Sequence, residues 1–112
     1  MYKRQILERL LVREGPHVHV LPVETVDYVE AQDDYIQIQV SGRSYLKQMT
    51  LSELETQLDR KRFLRIHRSY ILNIERITKI ELYAKDSRVV ILKVGKRLPV
   101  SRSGYDKIRK LL

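Results

Sequence analysis

A chain of 112 residues with 43% hydrophobic and 32% charged residues has room for one domain around one core, and its composition is that of an ordered globular protein rather than a disordered tract. The absence of cysteine excludes disulfides and thiolate metal sites, and no run approaches the ~18 consecutive apolar residues of a membrane span, so a cytoplasmic protein is expected. The net charge of +8 is uneven, with six Lys and Arg against nine Asp and Glu in residues 1–56 and sixteen against five in residues 57–112, so a polyanion is expected to meet surfaces built from the second half.

In chain order, Ile6, Leu7, Leu10 and Leu11 stand at helical spacing until Gly15-Pro16 breaks the pattern. Residues 1–14 therefore read as a linker remnant or short N-terminal element, and 15–112 as the single domain. From His17 the period becomes two, most clearly in Tyr35-Ile36-Gln37-Ile38-Gln39-Val40, a half-buried strand with Ile36, Ile38 and Val40 on one face. Ser41-Gly42-Arg43 supplies a turn, and Ser44 to Met49 a returning strand. Thr50 and Glu53 form a capping box that opens a helix over about 50–59, with Leu51, Leu54 and Leu58 on one side and Met49 placed to staple Leu54. After Phe63, strands are expected at Ile71 to Ile74, Ile77 to Tyr83, Arg88 to Val94 and Lys96 to Val100. Gly95 is expected at positive φ in a bulged turn, and Pro99 confines its strand to an edge or bulge. Ser103 to Leu112 can form a short helix capped by Ser103 and burying Tyr105, Ile108 and Leu112. The fold class is mainly β: elongated antiparallel sheets, one clear short helix, and short helices allowed at the termini.

Two basic clusters carry the candidate chemistry. Arg60 to Ser69 holds five cations, and Lys93 to Lys110 holds Lys96, Arg97, Arg102, Lys107, Arg109 and Lys110 against Asp106 alone. Each surrounds an expected loop tip, His67-Arg68-Ser69 and Ser101-Arg102-Ser103. An arginine beside small hydroxyls suits bidentate reading of a guanine edge while the hydroxyls take phosphate oxygens.

Phe63-Leu64-Arg65-Ile66-His67-Arg68-Ser69-Tyr70-Ile71-Leu72-Asn73-Ile74, followed by Leu98-Pro99-Val100-Ser101-Arg102-Ser103, resembles the central and closing motifs of LytTR-type DNA-binding domains. Leu21-Pro22-Val23 through Ala31 and Tyr35 resembles the opening strands, and Thr50 to Leu58 the short helix, so the resemblance covers roughly residues 17–112. It implies the output domain of a bacterial transcription regulator, with loops rather than a recognition helix entering successive major grooves. Carried over by position, it implies DNA contacts by His67, Arg68 and Ser69 in a central loop, by Arg102 and Ser103 in a closing one, and by a third loop around Asp34. Lys47 and Gln48 stand where the family often has a basic residue before the helix, and Arg65 and Lys107 complete the expected set. Asp33-Asp34 departs from the family's usual Gly-Asn or basic residue, which places carboxylates near phosphates and weakens or tilts that contact. The resemblance further implies a receiver or other sensory domain before this one, and two copies on paired DNA repeats.

Two other classes stay open on the residues alone. The charge permits a small basic RNA-binding β domain, although the 7 Tyr and 1 Phe are scattered rather than gathered on one strand for base stacking. A metal-dependent nuclease has least support: Asp33-Asp34 are adjacent rather than convergent, Glu53 is used in the cap, and His17 and His19 lack a third ligand. No enzyme activity, cofactor, metal or membrane contact is expected.

Overall fold

Alternation of inward and outward side chains lays down ten antiparallel strands and two α-helices among residues 6–83 and 87–112, which the computed structural model describes. β1 (Arg9–Glu14) and β2 (His17–Pro22) form a hairpin turned at Gly15-Pro16, with Gly15 at φ +61°. The helical reading of this segment is thereby corrected. Leu10 and Val12 are buried opposite Leu21 and His19, while Leu11 between them is 53% exposed. The apolar spacing satisfied both periods, and pairing with β2 decided between them.

β3 (Tyr28–Gln32), β4 (Tyr35–Val40), β5 (Arg43–Lys47), β6 (Phe63–His67) and β7 (Tyr70–Asn73) make a five-stranded sheet in the order β5-β4-β3-β7-β6. The β4–β5 turn has Ser41 at φ +49° and Gly42 at φ +84°, the double positive φ that matches the twist of paired strands. β6 corrects the expectation that Arg60 to Ser69 is a connection between the first helix and the next strand. β8 (Ile77–Tyr83), β9 (Ser87–Leu92) and β10 (Arg97–Pro99) form a second sheet, ordered β10-β9-β8. Pro99 lies on an edge strand and Gly95 turns at φ +87°, both as expected.

α1 (Leu51–Gln57) starts at Thr50, whose hydroxyl accepts from the Glu53 amide and donates to the Glu53 carboxylate, both at 3.1 Å. α2 (Arg102–Leu111) is the longer helix. Its cap is Ser101, which accepts from the Gly104 amide at 3.0 Å, not Ser103 as expected, and Leu112 is 74% exposed rather than buried.

The layers follow from which faces are apolar. One side of the five-stranded sheet, through Val29, Ile36, Ile38, Tyr45, Phe63 and Ile71, packs under α1 and the β1–β2 hairpin. The other, through Tyr28, Leu64, Ile66 and Leu72, packs on Val90, Leu92 and Leu98 of the three-stranded sheet and on Ile108 of α2. The molecule measures 48 × 39 × 24 Å. No helix among the described residues is long and apolar enough to cross a membrane.

Candidate nucleic-acid interface

Strand pairing decides which loops share an end of the sheet. Glu30 lies opposite Tyr70, Gln32 opposite Tyr35, and Ile36 opposite Lys47. The β3–β4 turn at Asp33-Asp34, the β6–β7 turn at Arg68-Ser69 and the exit of β5 at Lys47-Gln48 therefore lie along one edge. With strands about 4.8 Å apart, the row from β5 to β6 spans roughly 19 Å. The amide of Ala31 donates to the Ser69 carbonyl at 2.9 Å, tying two of these turns together.

The Arg68-Ser69 turn needs such support. Both residues keep negative φ, which splays a two-residue hairpin unless something compensates. A bulge between Arg65 and His67 supplies part of the correction. The rest comes from side chains. His67 Nδ1 accepts from the Ser69 amide at 3.1 Å, which assigns the proton of the neutral ring to Nε2. Arg65 donates through Nη2 to the Arg68 carbonyl at 2.6 Å and through Nη1 to Ser52 Oγ at 3.1 Å and the Glu55 carboxylate at 3.4 Å. Its guanidinium is thus spent inside the protein, clamping the turn to α1, while the Arg68 side chain is exposed.

The bulge has a second effect. It frees the Ile66 carbonyl from the strand ladder, and Ser101 fills both of its lone pairs, by its amide at 2.8 Å and its hydroxyl at 3.1 Å. Three residues on, Gly104 is buried so tightly that a Cβ there would overlap the Ile66 backbone. The closing bend is consequently the first turn of α2 rather than a loop tip, seated beside the Arg68 turn. Arg102 and Ser103 are exposed on it, and Lys107 follows one turn along. The amides of Arg102 and Ser103 belong to the first helical turn, where N–H groups have no intrahelical acceptor.

Nine of the ten expected contact residues thus come to this end, with Lys107 one turn further along α2, but not all have free heads. Lys47 donates to the Leu11 carbonyl at 2.6 Å, Arg65 is engaged as described, and Gln48 and Asp34 are exposed. Sequence reasoning placed Ser101 in the tip but missed its anchoring to Ile66, and missed Gly104 altogether. A glycine inside a helical pattern, whose usual reason is close packing, was the available signal. The residues weighed for metal chemistry stay apart: His19 lies 3.7 Å from Glu14 and against the Tyr45 ring, Glu53 is in the cap, and no group of three or more His, Asp or Glu gathers among the described residues.

Behind the Arg68 turn, the Tyr70 hydroxyl donates to Glu30 at 3.4 Å and its ring lies 6.2 Å from that of Tyr28. Burial first, then the Glu30 carboxylate, raises both phenols above the ordinary 10.0. The fold favours the neutral phenol, so this stabilisation is complete below pH 10 and fades as pH rises through the raised values. A phenolate absorbance titration should show a late fraction that shrinks in Tyr28→Phe and Tyr70→Phe; unchanged curves would contradict the packing.

The family model described as the LytTr DNA-binding domain matches residues 17–112. The chain is similar to the sensory transduction protein LytT of Bacillus subtilis (strain 168), 28% identical over 104 residues, which are 93% of this chain and 43% of that protein. It is similar to the transcriptional regulatory protein YpdB of Escherichia coli (strain K12), 30% identical over 94 residues, 83% of this chain and 38% of that one. The chain thus spans about two fifths of the length of these curated relatives. Among solved structures, the LytTr DNA-binding domain of a putative methyl-accepting/DNA response regulator from Bacillus cereus superposes with a TM-score of 0.83 at 27% identity, over 94% of this chain and 96% of that one.

Proposed function

Since the chain belongs to the LytTr DNA-binding domain family, we propose that it binds double-stranded DNA sequence-specifically as the output domain of a transcription regulator, and that the loop-bearing end of its five-stranded sheet is the reading surface. The observation that carries this is the docking of Ser101 and Gly104 on Ile66, which fixes the turn bearing the exposed Arg102 to the strand that leads into the turn bearing the exposed Arg68. Arg68 and Arg102 are the base readers, each presenting the planar fork that matches guanine O6 and N7. His67, Ser69, Ser103, Gln48 and Lys107 hold phosphates, Lys47 adds the ammonium protons left by its bond to Leu11, and the amides of Arg102 and Ser103 at the start of α2 help. The turn at Asp33-Asp34 is the third and weakest contact, where Asp34 accepts from a cytosine amino group if it touches a base.

Arg65 is assigned here as a positioning residue, and this separates it from Lys107. Arg65→Met is expected to lower specific affinity about tenfold by releasing the Arg68 turn, with the salt slope unchanged. Lys107→Ala should weaken all sequences alike and reduce that slope by about one. Binding isotherms across a salt series check both; a shallower slope in Arg65→Met makes Arg65 a phosphate contact instead.

The relatives' names support a regulator whose remaining length includes a signal-receiving domain, and two copies on paired repeats in the cytoplasm complete the reading, with 15–112 as the DNA-binding unit and β1 packed into its core. A random-duplex selection with the purified domain, followed by competition with structured RNA, tests the whole. An enriched duplex sequence is expected, and failure to enrich one, or preference for the RNA, overturns it.

A further inference from the structure

β6 runs from one end of its sheet to the other and so divides its basic run: Arg68 reaches the reading end, while Arg60, Lys61 and Arg62 stay at the opposite one. Two further segments meet them there. The Ile74 amide donates to the Arg62 carbonyl and the Lys93 amide to the Arg76 carbonyl, each at 2.9 Å. These bonds align the turn before β6, the 3-10 turn Ile74–Arg76, and the β9–β10 turn that carries Lys93 and Lys96. Between them lies a groove of about 340 Å³ lined by Glu24, Arg62, Asn73, Glu75, Arg76 and Lys93. Its floor is fixed, because Arg76 donates to the Glu24 carbonyl at 2.8 Å and lies 3.5 Å from the buried Asp27 carboxylate, and Asn73 donates to the Val26 carbonyl at 2.9 Å.

Cations outnumber carboxylates around that groove. Among the described residues, Arg60, Lys61, Arg62, Lys93 and Lys96 form no ion pair. Asp27 is paired to Arg76, and Asp59, which accepts from the Lys61 amide but keeps its charge, stands with Glu24 and Glu75 against those five cations, leaving positive charge in excess. Five like charges held at one end of a small domain repel one another, and a polyanion relieves this by displacing their counterions. The lining includes no apolar side chain. A protein partner's interface needs an apolar centre, whereas a phosphate backbone does not. The strands between the two ends are about 17–20 Å long, so a straight duplex on the reading end cannot reach the groove.

We infer that this end is a second polyanion site that takes the backbone of another duplex segment without reading its sequence, so that one bound domain bridges two stretches of DNA. The inference rests on the reading end assigned above. The test is retention of a labelled duplex of unrelated sequence on an immobilised duplex carrying the selected site. The chain should retain it. The variant Arg60→Gln, Lys61→Gln, Lys93→Gln, Lys96→Gln should lose at least about fivefold of that retention while binding the site duplex within about threefold of the parent. A variant of equal charge altered elsewhere, Arg13→Gln, Lys79→Gln, Arg109→Gln, Lys110→Gln, should retain the label. Absence of bridging by the parent chain, equal loss in the charge-matched variant, or displacement of the label by polyglutamate but not by plain duplex overturns the inference. If the first variant loses the site duplex itself while Arg68→Ala and Arg102→Ala keep it, the reading end has been misassigned.

Discussion

Replacing Gly104 by alanine is expected to destabilise the domain and lower specific DNA binding together, although an alanine inside a helix is ordinarily the better residue. Helix propensity alone favours the change by about 1 kcal/mol. Against this stands the Ile66 backbone, which the new methyl group would overlap. A strand in the middle of the protein's packing cannot retreat as the end of a flexible side chain can, so α2 must lift instead. Lifting it breaks the two bonds from Ser101 to the Ile66 carbonyl, each worth about 1 kcal/mol net. It also loosens the fully buried Ile108, and overpacking of this kind costs typically about 1–3 kcal/mol. The steric terms win, and a net loss on the order of 2 kcal/mol follows. Denaturant unfolding measures it, and the affinity for the selected duplex should fall about tenfold or more because Arg102 moves with the helix. Gly104→Ala with parental stability and parental binding would mean that α2 is not seated on β6 as described.

The same contact explains where sequence reasoning stopped. β4, the α1 cap, the turn at Gly95 and the edge position of Pro99 were readable because each depends on a local period or a single residue's backbone preference. β6 was not, since Phe63 faces one core and Leu64 and Ile66 the other. A strand covered on both faces loses its alternation. Local pattern puts the cap of α2 at Ser103, because Asp106 follows it at capping distance, yet the bonds from Ser101 to a strand 35 residues earlier decide for Ser101. No local pattern contains that information. The site was legible in its parts through the motif resemblance, which brought His67, Arg68, Ser69, Arg102 and Ser103 forward. Their adjacency, the internal use of Arg65 and the split of the first basic cluster between two ends required the topology. Charge density alone pointed as strongly to Arg60-Lys61-Arg62 as to Arg68.

The largest effect on recognition is expected from Arg68→Ala combined with Arg102→Ala. Each truncation should cost about 1–3 kcal/mol of specific binding, the value of one bidentate arginine–guanine pair. The two side chains share no partner; they meet only through the Ile66 backbone, which neither substitution alters. Their costs should therefore add to within about 0.5 kcal/mol. The sum, on the order of 2–6 kcal/mol, approaches the roughly 4–10 kcal/mol that separates specific from non-specific DNA binding. The double variant should accordingly hold the selected duplex and a scrambled one almost equally, on phosphate contacts alone. Arg68→Lys and Arg102→Lys sharpen the reading, because lysine keeps the charge and loses the fork. If bidentate recognition is used, the lysine variants lose sequence preference while non-specific affinity holds, and competition between the two duplexes at fixed salt separates these quantities. An alanine variant that keeps full preference, or that weakens both duplexes alike, takes its arginine out of the base-reading pair and leaves it a phosphate contact.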